Sequence, residues 1–278
     1  MRDGALGLPR SAAWILIVAL SGCATTPYIG QGPNPQIRRG RPQPLVDGLG
    51  NILGLPAKIV LWSWRVDDHA VSAQTESVLA HYLSDTSRPA AFADALFRLN
   101  EYTPGGELRR LAANRYVAWP YRLLLGLPMT LVFEILLPGR LIGGDHYNPW
   151  TNTVHLYSDD AAVALHEAGH AHDFAGQRYK GSYALLRLLP GMDLYQEYVA
   201  SSAAIDYFAL SRDRAAELHA YKILYPAYGT YLGSYLLPFG NYAGALVGHV
   251  WGRAKAHARA KYYALLDAAA VQAAQQPP

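Results

Sequence analysis

Apolar positions recur along this chain at helical spacing far more often than in strict alternation, and the spacing predicts an α-rich α+β fold. Val78, Leu79 and Tyr82 place a helix over Val71–Tyr82, and Phe92, Leu96, Phe97 and Leu99 place another over Ala90–Asn100. Leu45–Trp64 is apolar and reads as a core or membrane-surface helix, and Glu107–Ala113 starts a helix after the turn at Pro104-Gly105-Gly106. Val117–Ile142 is strongly apolar, but Pro120, Pro128 and Pro138 break it, and only 11 uncharged residues separate Arg122 from Glu134. That length is short for a bilayer span, so the segment reads as buried or interfacial.

Thr151–Tyr157, after the Asn148-Pro149 turn, is the one short β-rich segment. A helix follows from Ser158, with Ser158 as candidate N-cap and Asp159 and Asp160 suited to its positive end. Leu194–Leu210 is helical after the Pro190-Gly191 break. Ile223–Gly252 is 30 residues without Asp, Glu, Lys or Arg. There Gly240, Gly244, Gly248 and Gly252 would form one smooth helical face for close packing. Pro226 and Pro238 are expected to cut that run into short pieces, giving a membrane-dipping hairpin or a buried one under the site described next. Ala243–Ala274 continues as a basic, Ala-rich helix.

Candidate chemistry lies in the helix from Ser158. His166-Glu167-Ala168-Gly169-His170 is an HExxH motif. Residues four apart share a helix face, so His166 and His170 can offer two imidazoles to one metal ion. Glu167, one step round, is placed as a general base toward a water. Zn2+ suits nitrogen donors and keeps a position open in catalytic sites. Asp173 stays on the same face and is a candidate to orient a ligand histidine. His146 and His155 lie near in sequence, with a substrate contact or a structural role open to either.

A strand leading into an HExxH helix resembles the zinc peptidases of the zincin class, and HExxHxxD, ending at Asp173, resembles a bacterial gluzincin-type group. His172 departs from the apolar residue that the stricter pattern has there. The resemblance covers about Thr151–Tyr198. It implies a zincin-like core with a short edge strand before the HExxH helix, a peptide or protein substrate, and a third zinc ligand that is a Glu on a later helix. Glu197, 27 residues beyond His170, is the favoured candidate, because Ala200 and Ser201 one turn on let its helix approach closely. Glu217 is the runner-up; its neighbours Arg212, Asp213 and Arg214 suggest a solvated face. In many zincins a Tyr or His stabilises the tetrahedral oxyanion; among Tyr225, Tyr228, Tyr231, Tyr235 and Tyr242 the sequence does not choose.

At the other end, Arg2 and Arg10 precede the apolar run Ala12–Leu20 and then Leu20-Ser21-Gly22-Cys23. This resembles a bacterial lipoprotein signal ending in a lipobox, with Cys23 the lipidated residue. Cys23 is the only cysteine, which excludes an internal disulfide. The organisation read from these features is a signal peptide over 1–23, a flexible tether over 24–44 and one domain over 45–278. Arg38, Arg39 and Arg41 in the tether either meet anionic headgroups or are merely solvated. Ala24 after the cysteine goes with sorting to an outer membrane, facing the periplasm. Net charge is only +3 with scattered basic residues, so nucleic acid is not an expected partner. The expectation is a lipid-anchored zinc metallopeptidase of the cell envelope. The alternative is a non-catalytic envelope lipoprotein, with a structural metal site or a membrane-packing role.

Overall fold

The computed structural model describes residues 34–84, 89–137, 139–142, 144–236 and 238–275. The signal-peptide reading and Cys23 lie outside the described residues, as does the tether up to residue 33. Within the rest of that tether, Ile37–Arg39 form a strand (β1) of the domain's sheet, so the ordered fold begins before Pro44.

The molecule is mostly helical around one small mixed sheet. Its strands, in the order β1-β2-β4-β3, include β2 (Leu96–Leu99), β3 (His146–Asn148) and β4 (Thr153–Leu156). β1, β2 and β4 are parallel, and β3 is antiparallel to β4. The strand before the HExxH helix, β4, is therefore internal, and the edge beside it is β3; this corrects the expected edge position. A second correction falls on Ala90–Asn100. Only Ala90–Ala93 is helical there, and Leu96–Leu99 is a strand buried on both faces. Continuous burial removes the alternation that marks a strand in sequence.

Side chains still alternate across the sheet. Phe97, Leu99, Val154 and Leu156 enter one apolar core with Leu165 and Ala168 of the HExxH helix. On the opposite face, Arg98, His155 and His146 stand in register on neighbouring strands. That face carries a buried layer of charge.

Helices α1 (Pro44–Leu53) and α2 (Leu55–Leu61) occupy the expected Leu45–Trp64 segment, and α3 (Ala73–Leu83) matches its predicted helix; α5 (Pro104–Ala113) takes the expected turn Pro104-Gly105-Gly106 into its first turn, with Pro104 at the helix start, and α4 is Ala90–Ala93. Val117–Ile142 departs from expectation. Trp119–Leu136 is one 18-residue helical run, α6, despite Pro128. Its turns are wide, π-helical, over Arg122–Gly126 and Leu131–Leu136, which accommodates a ring without an N–H. Gly126, Thr130 and Glu134 face inward and are buried, while Leu123, Leu124, Phe133 and Leu136 are exposed. The run is thus long and apolar enough to cross a membrane, but one side is packed on the domain and the other is bare. Gly139–Ile142 is a short helix, α7.

The C-terminal half is α8 (Ala161–Gly176), α9 (Lys180–Leu186), α10 (Met192–Leu210), α11 (Arg214–Leu236) and α12 (Gly240–Gln275). α8 lies between the sheet and α10. α11 and α12 form a long hairpin whose contact is the predicted glycine ridge: Gly244 meets Gly229, and Gly248 and Gly252 meet the backbone of Tyr225 and Tyr221. Pro226 does not cut the run; it lies inside α11. Nor is the hairpin buried, since Leu246, Val247, Val250 and Trp251 are exposed on its outer side.

Candidate metal centre

The helix that carries HExxH is capped by Asp160, whose carboxylate accepts from the Ala162 N–H at 2.9 Å. Ser158, the expected cap, instead donates to Asp145 and accepts from the Asp67 N–H. Small residues let α8 sink into the core, where Ala164, Ala168 and Ala171 are buried. Gly169 allows the closest approach. A Cβ there would stand 2.9 Å from the Ala200 carbonyl oxygen on α10. This contact sets Glu197, three residues before Ala200, against the two histidines.

His166 Nε2 lies 3.1 Å from Glu197 Oε2 and 3.2 Å from His170 Nε2, and His170 Nε2 lies 3.4 Å from Glu197 Oε1. Donors bound tetrahedrally at about 2.05 Å from zinc stand about 3.3 Å apart. The three groups therefore have the spacing of a ligand set. Two imidazole nitrogens and a carboxylate cannot converge on lone pairs alone; ring N–H hydrogens or a metal ion must lie between them. Glu197 is 3% exposed, and although burial opposes its charge, His170 and His166 hold it far below the usual carboxylate range. His166 is raised in turn: burial opposes its charge, but the hydrogen bond to Glu197 and the charges of Glu167 and Glu197 together outweigh it.

Around this set, Ser201 Oγ lies 3.1 Å from His166 Nδ1 and fixes the ring, and Arg187 donates to Glu197 Oε1 at 2.5 Å. Neither partner was legible in sequence as part of a site; Ser201 had stood out only for its size. Glu167 is buried, with a carboxylate oxygen 4.0 Å from His166 Nε2. Burial raises its pKa, against the pull of both histidines. Asp173 lines the same cavity, but its carboxylate accepts from Gln177 and Tyr183 rather than from a ligand histidine. Glu217 lies elsewhere: it is buried against Arg259 and Tyr263, not on a solvated face and not near the histidines.

The centre opens on a cavity of about 380 Å³. Gly144–Tyr147 of the β3 edge, Phe133 of α6, Glu167, His170, Glu197 and Tyr231 are among its walls. Of the five tyrosines considered from sequence, Tyr231 is the one that reaches it; burial, then Glu197, raises its pKa. His146 also lines the cavity. Paired with His155, it belongs to a second group, Glu134, His146 and His155, whose donor atoms lie within 4.8 Å of one another, as do those of His166, His170 and Glu197. Both groups could hold a metal ion.

No family model, curated protein or solved structure matches this chain. The zincin resemblance rests on its motif residues alone.

Proposed function

We propose that the chain is a zinc metallopeptidase of gluzincin type, anchored to the cell envelope through lipidated Cys23. One observation carries the reading: His166, His170 and Glu197 present donors 3.1–3.4 Å apart, with the Glu167 carboxylate 4.0 Å from His166, at the wall of an open cavity. Zinc held by these three residues would acidify a water and polarise a peptide carbonyl.

The protein's own groups supply the rest. Glu167, whose carboxylate burial makes more basic, takes a proton from the attacking water and delivers it to the leaving amine nitrogen. Tyr231 offers a phenolic O–H to the oxygen that gains charge as the carbonyl becomes tetrahedral. β3 has, among the described residues, no strand on its outer side, so an extended substrate can pair along it as an added strand. The substrate is accordingly a peptide or an extended protein segment.

A membrane-surface location fits the same geometry. α6 turns Glu134 inward and Leu123, Leu124, Phe133 and Leu136 outward, the reverse of a helix facing water, and Phe133 belongs both to that face and to the cavity. The cavity mouth then lies beside the bilayer, for a domain on the periplasmic face of an outer membrane. The test is cleavage of a quenched peptide library by the full-length protein in detergent. Activity abolished by a chelator and restored by zinc is expected; folded, zinc-supplied protein that cleaves nothing would overturn the reading.

A further inference from the structure

On the sheet face opposite the main core, four side chains from four elements converge. Glu107 comes from α5, Glu134 from the last π-helical turns of α6, His146 from β3 and His155 from β4. His146 and His155 are directly opposed across the β3–β4 ladder, and their rings stack at 4.7 Å with 10° between planes. Glu134 Oε1 lies 3.0 Å from His146 Nε2 and 3.5 Å from His155 Nε2, and Glu107 Oε2 lies 3.6 Å from His155 Nε2. Glu107, Glu134 and His155 are each at least 97% buried as side chains.

The hydrogen bonding within this cluster is incomplete. His146 Nδ1 lies 3.0 Å from the Gly144 carbonyl oxygen, which can only accept, so Nδ1 carries the hydrogen. Its Nε2 then faces a carboxylate and needs a cation between them. A proton would satisfy that one line. It would leave His155 as it stands, buried, with neither ring nitrogen hydrogen-bonded, and Glu107 Oε2 without a hydrogen bond as well. Protonating His155 too would stack two imidazolium ions face to face in a buried layer. A single divalent ion satisfies His146 Nε2, His155 Nε2 and Glu134 together, with Glu107 beside His155 at 3.6 Å, and the 3.0–3.5 Å separations from Glu134 are those of donors around one such ion.

We propose that Glu134, His146 and His155, with Glu107 beside His155, form a second metal site for a divalent ion of the zinc class. Two imidazoles and a carboxylate suit zinc and its transition-metal neighbours rather than calcium or magnesium. Like the centre at His166 it offers three converging protein donors, and His146 brings it to the cavity wall. Its role is structural: it clamps α6 and the β3 edge, two walls of the cavity, to the sheet. The proposal does not depend on peptidase activity, since it concerns other residues.

The test is metal content and thermal stability of the full-length protein after zinc supply and removal of free metal. Wild type is expected to hold about two zinc ions per chain. His166→Ala should hold one, and chelation should still lower its Tm by several degrees. His166→Ala combined with His155→Gln should hold none. If the double variant fails to fold, the single His166→Ala variant decides. Folded His166→Ala protein without bound metal, or with metal that survives His155→Gln, would overturn the second site.

Discussion

Gly169 lies against the backbone of Ala200, close enough that a Cβ at Gly169 would stand 2.9 Å from the Ala200 carbonyl oxygen. The contact joins the helix bearing His166 and His170 to the helix bearing Glu197. Gly169→Ala must push these helices apart by a few tenths of an ångström. Overpacking of this kind costs about 1–3 kcal/mol, and here it also widens the ligand set. Zinc titration of Gly169→Ala should show weaker binding than wild type together with a lower Tm.

Ser201 supplies the hydrogen-bond partner of His166 Nδ1 at 3.1 Å. Removing such a partner of a ligand histidine commonly weakens metal binding about 10–100-fold. Ser201→Ala leaves the packing nearly unchanged, so competition against a chelator should show zinc affinity reduced by about tenfold with little change in the metal-free Tm.

The two glutamates weighed as third ligand separate cleanly. Glu197→Gln is expected to abolish tight zinc binding at the His166 centre. Glu217→Gln should keep it, but it leaves Arg259, 35% exposed, without its charged partner. Discounted for that exposure, a loss of roughly 1–2 kcal/mol follows. Elemental analysis and urea unfolding of both variants check the pair of outcomes.

These contrasts mark how far the sequence could be read. HExxH fixes its own geometry because two residues four apart on one helix need no tertiary information. Glu197 was legible for a related reason, since Ala200 and Ser201 advertise a close helix contact. The strand Leu96–Leu99 was not, because its apolar residues also fit helical spacing and its partners, Ile37–Arg39 and Thr153–Leu156, are distant in sequence. Asp160 took the capping role from Ser158, which tertiary contacts with Asp67 and Asp145 hold elsewhere. His146 and His155 carried a weak signal: they flank the Asn148-Pro149 turn at a spacing that a hairpin would bring face to face. Glu107 and Glu134 carried none, as only the packing of two helices brings them there.

Asp67 and Asp68 contribute stability on the acidic side that is lost as pH rises. Burial, then Asp145, pushes Asp67 up to about 6, and burial, then Asp159, pushes Asp68 up to about 6. An aspartate in the unfolded chain titrates near 3.8, so the fold binds more protons than the unfolded chain between these pH values. Their stabilising contribution is present below about pH 4 and lost as pH rises through about 6. Burial lowers His69 to about 4, which adds an opposite trend over the same interval, so the variants are compared with wild type: melting curves of Asp67→Asn and Asp68→Asn should each decline less with rising pH than those of the wild type.

Glu167 is the residue on which hydrolysis, as distinct from metal binding, depends. The most direct test compares wild type with Glu167→Gln at matched zinc content on the same peptide library. Loss of about 10²–10⁴-fold in kcat with zinc retained is the predicted result, since that is what a general base in the transition state commonly contributes. Undiminished cleavage by zinc-loaded Glu167→Gln would contradict the account.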